Sequence, residues 1–204
     1  MDTKTFAYIY LLGILGAYLA RIPSVIYNSK VTSLRDCLSQ SERMKREGYL
    51  LSTLMVLWFF FAQVFPMIYA FTHWITPFNY DLPLWAGYLG TGLFIILILL
   101  LWRAHFDLNR NWSAVVQIKE KQALVTDGIY HFIRHPIYTA HILWGIAQVL
   151  LIHNWLAGFS GFILIVLIMI LRIPKEERLL IQQFGNDYRK YMLKTGALLP
   201  RLIK

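Results

Sequence analysis

The chain has 204 residues, of which 57% are hydrophobic, 16% aromatic and 15% charged, and that length suits one ordinary domain. Its mean hydropathy of +0.50 sets it apart from soluble domains, which expose more charge, and a single cysteine, Cys37, excludes an intrachain disulfide. The formal charge of +9 invites a nucleic-acid reading, but the placement of the basic residues argues for a membrane instead.

Five stretches are long and apolar enough to cross about 30 Å of hydrocarbon. They run from Thr5 to Ala20, Tyr49 to Phe71, Leu84 to Trp102, Ile137 to Ile152 and Trp155 to Leu171. The first has the length of a signal peptide, yet it lacks a basic leader and is followed by Arg21-Ile22-Pro23 rather than a small-residue cleavage site, so it reads as a retained span. The first and fourth are near the lower length limit. A link of His153-Asn154-Trp155 makes the fourth and fifth an antiparallel hairpin. The reading is a single all-α integral membrane domain over residues 1–204. Three N-terminal spans with a basic loop occupy 1–102, and two spans with a helical tail occupy 103–204.

Residues 74–83 and the turn at Asn154 carry no Lys or Arg. Arg21, Lys30, Arg35, Arg43, Lys45 and Arg46 follow the first span, and Arg103, Arg110, Lys119, Lys121 and Arg134 follow the third. Eight more lie from Arg172 onward. Five spans put every Lys and Arg except Lys4 on one side, which the positive-inside rule makes cytoplasmic. The N-terminus is then outside and the C-terminus inside. Attraction to anionic headgroups accounts for the basic excess without nucleic acid. Trp74, Tyr80, Trp85, Trp102, Trp112 and Trp155 sit near span ends, as interfacial anchors do. The run Phe59-Phe60-Phe61 reads as packing.

Two polar groups adjoin the last two spans. One is Arg134-His135-Pro136-Ile137-Tyr138; the other is Arg172 with Glu176-Glu177. Ionisable groups beside hydrocarbon are costly to bury and mark functional sites. Pro136 disfavours helical geometry at His135, so the fourth span begins at the proline, and its first-turn amides then favour anionic groups. Asp127-Gly128 reads as a turn. Pro174 and the glutamate pair suit the start of a further helix over Lys175 to Lys194, which Gly185 threatens to split. The histidines are scattered without the carboxylate spacing of a metal site, and no dinucleotide or phosphate-loop glycine motif is present.

From about Phe106 onward the chain resembles the isoprenylcysteine carboxyl methyltransferase family and, more widely, the membrane phospholipid methyltransferases. The resemblance rests on Asn111-Trp112-Ser113, on Leu124-Val125-Thr126-Asp127-Gly128-Ile129-Tyr130, on Arg134-His135-Pro136-Ile137-Tyr138, and on the glutamate pair followed by Phe184-Gly185-Asn186-Asp187-Tyr188. It implies methyl transfer from S-adenosylmethionine to a lipophilic acceptor entering from the bilayer, such as the carboxylate of a prenylated cysteine, with no metal and no nucleic acid. By position it implies that Gln117, Gln122, Ala123, Leu124, Val125, Tyr130, His135, Pro136, Ile137, Tyr138 and Glu176 line the cofactor pocket. It also implies that Arg172 faces the acceptor. Glu177 is the candidate base if the acceptor is an amine. The sequence departs from the family at Gln122, where His is frequent, and at Ala140, where Gly is frequent.

Two other readings compete. Membrane sterol and steroid reductases carry a similar Arg-His-Pro-x-Tyr element and use NADPH, though they usually place Asn where Ile137 stands. A non-catalytic membrane scaffold would bind neither cofactor.

Overall fold

The computed structural model describes residues 3–31, 48–108 and 123–201. Gln117 and Gln122, with the Asn111-Trp112-Ser113 motif, lie outside the described residues. The described chain folds as helices: α1 (Thr3–Val31), α2 (Tyr49–Phe71), α3 (Leu84–Leu108), α4 (Pro136–Leu151), α5 (Trp155–Phe184) and α6 (Asn186–Lys194). Short 3-10 turns lie at Thr76–Phe78 and Gly128–His131.

Four of these helices, α1, α2, α3 and α5, are long and apolar enough to cross a membrane. The fourth expected span, α4, has 16 residues, or about 24 Å at 1.5 Å per residue, less than the hydrocarbon thickness. Leu12, Leu50, Leu99, Ile163 and Ile170 are exposed. Large apolar side chains turned outward on successive helices are the mark of a lipid-facing surface, so this is an integral membrane fold.

Three boundaries correct the sequence reading. Helix α1 runs on past Ala20 and Arg21 to Val31. Helix α3 continues six residues past Trp102 to Leu108, which carries Arg103 and Asp107 beyond the apolar stretch. Pro174 does not open a new helix: it lies inside α5, which runs unbroken to Phe184. Proline removes one intrahelical hydrogen bond, but a helix within a packed membrane bundle tolerates that loss. The continuous helix sets Arg172 and Glu176 four residues apart on one face. The break comes at Gly185, whose φ of +53° suits glycine far better than a residue with Cβ.

The core is built around α4, which packs on α3 and on α5. Tyr10, Phe94, Leu97, Ala140, Trp144 and Leu151 are buried together. The Trp144 indole N–H donates to the Tyr10 hydroxyl at 2.8 Å, and that hydroxyl donates to the Ala62 carbonyl, also at 2.8 Å. Both α2 and α5 contain one π-helical turn, at Phe60–Val64 and Trp155–Phe159. The Gln148 amide donates to a carbonyl in each of them, Phe61 at 2.9 Å and Ala157 at 2.6 Å. A single buried amide thus satisfies backbone acceptors of two irregular turns, as a water-poor interior demands. Phe60 and Phe61 pack on Phe65, with ring centroids 5.5 and 4.6 Å away, while Phe59 is exposed on the outer surface.

Candidate active site

The Arg134-to-Tyr138 segment and the polar stretch of α5 meet at the start of α4. His135 precedes the helix in a non-helical conformation, with Pro136 in its first turn, as the sequence requires. Glu177 accepts from Arg134 through Nε and Nη2, each 3.0 Å from Oε1, and the same oxygen lies 3.2 Å from His135 Nε2. One residue earlier, Glu176 accepts from the Tyr138 hydroxyl. The His135 and Tyr138 rings stack at 5.3 Å with an 8° interplanar angle. The buried Arg172 guanidinium lies 5.7 Å from the Tyr138 ring centroid and directs Nη1 at Met55 Sδ on α2, 3.3 Å away.

One acid and one arginine, Glu176 and Arg172, therefore meet Tyr138, and a second such pair, Glu177 and Arg134, meets beside the stacked His135. Charges in such a setting persist when they are paired and hydrogen-bonded, and Arg134 and Glu177 satisfy that condition directly. The result separates the roles of adjacent glutamates. Glu177 is tied to the segment before α4, whereas Glu176 shares the Arg172 face of α5.

A backbone strap fixes the entry segment. The amides of Arg134 and His135 donate to the carbonyls of Gly196 (2.9 Å) and Ala197 (3.0 Å), and Thr139 Oγ1 donates to Leu198 O at 2.7 Å. Arg134 Nη1 also donates to the carbonyls of Met192 and Thr195. The chain beyond α6 thereby holds the segment that places His135 over Glu177. This strap was not legible in the sequence, because backbone pairing sixty residues apart leaves no side-chain pattern.

The turn before α4 is held from α3. Asp107 Oδ2 accepts from the Ile129 amide at 2.7 Å and from Arg103 Nε at 2.9 Å. Gly128 has φ +61°, and a Cβ there would meet the Asp107 carboxylate at 2.1 Å, so glycine is required by conformation and by space. Asp107 escaped the sequence reading, although an acid closing an apolar helix was a usable signal. Leu124 and Val125 line a cleft of about 460 Å³ with Arg103, Asp107, Asp127 and Gly128. Ala123 directly precedes this wall. Tyr130, two residues after Gly128, is buried. Burial, and next the Glu176 carboxylate, hold the Tyr130 phenol well above its usual pKa. Burial pushes the Tyr191 phenol up to about 12. Both stay neutral at physiological pH.

The structure thus brings together His135, Tyr138, Arg172, Glu176 and Glu177, with Pro136 and Ile137 opening the same helix. Leu124 and Val125 stand at a neighbouring cleft on the same end of the bundle. Ala140 turns away from this cluster into the core beside Tyr10 and Trp144, so its extra methyl bears on helix packing.

Comparison with known proteins bears on this same half. Residues 90–182 match the model of the Isoprenylcysteine carboxyl methyltransferase (ICMT) family. The match spans both polar segments and the cleft residues. That range contains the motifs at 111–113, 124–130 and 134–138 and the glutamate pair, and it ends before Phe184. Protein-S-isoprenylcysteine O-methyltransferase B of Arabidopsis thaliana is 26% identical over 118 residues, 57% of this chain and 60% of that protein. The Schizosaccharomyces pombe and Homo sapiens proteins named protein-S-isoprenylcysteine O-methyltransferase are 30% and 31% identical over 94 and 99 residues. Those stretches are 45% and 48% of this chain, and 40% and 35% of the relatives. The chain thus aligns with about 60% or less of these relatives' length. A solved structure described as the eukaryotic intramembrane Ras methyltransferase ICMT superposes with a TM-score of 0.54 at 22% identity, covering 96% of this chain and 62% of that one. That likeness is one of fold, and it extends over the N-terminal helices, which carried no motif.

Proposed function

We propose that the chain is a membrane methyltransferase that uses S-adenosylmethionine and methylates the carboxylate of a prenylated cysteine or a similar small lipophile. The observation that carries this reading is the convergence of His135, Tyr138, Arg172 and Glu176 inside the segment that matches the family model. When bound, the cofactor supplies a sulfonium methyl that passes to the acceptor oxygen while the carbon–sulfur electron pair returns to sulfur, so no proton need move.

The donor set suits that cofactor. Glu176, oriented by the Tyr138 hydroxyl, offers a carboxylate to the amino group. The first-turn amides of α4 at Ile137 and Tyr138 favour the opposite, anionic end; Pro136 contributes none. Ala123, Leu124, Val125 and Tyr130 offer an apolar wall next to the hydrogen-bonding Asp107 and Asp127, the combination a nucleoside needs. Gln117 and Gln122 belong to the same pocket by the resemblance alone.

The protein's task is then alignment and exclusion of water. Alignment of reacting groups supplies up to roughly 7–11 kcal/mol in well-oriented systems. Arg172, held over Tyr138, orients the acceptor carboxylate; too tight a grip would reduce its nucleophilicity. Glu177 is a positioning residue: one of its oxygens already accepts from Arg134 and His135, which leaves it poorly placed to take a proton from an amine. That supports a carboxylate acceptor over a phospholipid amine. In this reading the site faces the cytoplasm, with the N-terminus outside.

The test is methyl transfer by the reconstituted protein to an N-acylated S-farnesylcysteine and, in parallel, to phosphatidylethanolamine. Ester formation on the former is expected. Transfer to the amine alone would contradict the acceptor assignment. A tag after Lys204 reachable only from outside the cell would contradict the orientation.

A further inference from the structure

Arg21 has no part in the site described above. The sequence placed it in a basic loop, but α1 continues through it to Val31, and its side chain is turned into the bundle. Arg21 Nη2 lies 2.7 Å from His141 Nε2. His141 Nδ1 lies 2.7 Å from the Ile137 carbonyl, so Nδ1 carries the proton and Nε2 accepts from the guanidinium. Arg21 Nε is buried with no hydrogen-bond partner among the described residues.

No carboxylate among the described residues forms an ion pair with Arg21. The contrast with the other cations is direct: Arg134 pairs with Glu177, and Arg103 pairs with Asp107. An uncompensated guanidinium inside a bundle is costly, and such residues mark ligand sites when a partner of opposite charge can reach them.

The surroundings say what that partner is. His141 lies five residues into α4, about 8 Å below its start, so Arg21 sits deeper in the apolar layer than His135 and Glu177. Arg21, Arg172 and His105 all lie within electrostatic reach of His141. The Trp58 ring of α2 stands 5.5 Å from the His141 ring. Arg172 stands at Tyr138 and at Met55, three residues before His141 on α4 and three before Trp58 on α2, so the two guanidinium groups border one α2–α4 seam beside an indole. Planar donor forks of this kind match the two oxygens of a carboxylate.

We infer that Arg21, held by His141, is a specificity-determining residue that forms one anion site with Arg172 and receives the acceptor's carboxylate at hydrocarbon depth. The inference rests on the methyltransferase reading and extends it. Arg172 orients the acceptor near Tyr138, and Arg21 supplies the second cation on the α1 side. The site then selects anionic lipid-like acceptors over neutral ones. It also discriminates substrate from product, because methylation removes the charge that Arg21 holds.

The test is binding of an N-acylated S-farnesylcysteine acid and of its methyl ester to the full chain loaded with S-adenosylhomocysteine. The wild type is expected to favour the acid. Arg21→Gln should weaken the acid roughly 10- to 100-fold, as the loss of a charge-assisted contact does, while ester and S-adenosylhomocysteine affinities stay unchanged. Arg21→Lys should restore part of the preference. A purely structural role would lower the Tm and leave the acid-to-ester ratio intact, which overturns the proposal. Loss of a co-purifying anionic phospholipid in Arg21→Gln, with that ratio unchanged, assigns Arg21 to a headgroup and also overturns it. If the wild type binds S-adenosylhomocysteine but neither acid nor ester, both this inference and the prenylcysteine acceptor fail. If acid binding persists independently of Arg21, this inference alone fails.

Discussion

The α4–α5 hairpin buries polar side chains at both ends, and the ends use them differently. At the tight turn, Asn154 Oδ1 accepts from the amides of Leu156 and Ala157, and its Nδ2 donates to Ile75 O and to Asn79 Oδ1. The Tyr80 hydroxyl adds contacts to the carbonyls of Val149 and Ile152, at 2.6 and 3.0 Å. Neutral groups there serve the backbone. At the opposite end the side chains are acids and bases: Arg134 pairs with Glu177, which also reaches His135, while Glu176 and Arg172 meet Tyr138. Satisfied neutral networks rigidify a core, whereas charges kept beside hydrocarbon signal a ligand. Burial of polarity alone would not have told these two ends apart; the charge does.

Mutations should separate the ends by what they change. The largest effect is expected for Arg172→Ala, which should lower turnover by about 100-fold or more, a change of roughly 2.7 kcal/mol in barrier, while S-adenosylhomocysteine affinity holds. Equal loss of both would place Arg172 in the cofactor pocket. Glu177→Gln should cost about 1–3 kcal/mol of stability by leaving Arg134 without its counter-charge, seen as a lower Tm, and should reduce kcat more than it raises KM. Asn154→Ala should lower stability by a similar 1–3 kcal/mol through unsatisfied backbone groups, with kcat per folded molecule unchanged. A kcat defect there would erase the contrast between the ends. Gly185→Ala comes last, because it should leave the site untouched. Nothing lies within 4 Å of the added Cβ, so backbone strain at φ +53°, ψ −121°, on the order of 1–3 kcal/mol, is the whole cost, read as a lower Tm with activity retained.

The sequence made the C-terminal half more legible than the N-terminal half. The Arg134-to-Tyr138 string, the turn at Asp127-Gly128 and the glutamate pair all carry local chemistry, and the structure gathers them as their types suggest. Hydropathy located every long helix but misjudged the ends, because α3 and α5 continue into polar sequence that propensity alone permits. Pro174 misled for a related reason: tertiary packing outweighs one missing hydrogen bond. Arg21 was hidden, since a basic residue after an apolar run looks like a loop until α1 is seen to continue through it. The strap from Gly196 to Leu198 and the double role of the Gln148 side chain depend on carbonyls brought close only by the fold, which no residue pattern records.

The central claim is that the charged end of the hairpin is a cofactor site centred on Glu176. Calorimetric titration of S-adenosylhomocysteine into the detergent-purified protein, beside NADPH and beside the Glu176→Gln variant, tests it most directly. Micromolar binding of S-adenosylhomocysteine by the wild type, weakened about tenfold or more in Glu176→Gln, is the predicted result. Binding of NADPH alone, or affinity for S-adenosylhomocysteine unaltered in Glu176→Gln, would contradict it.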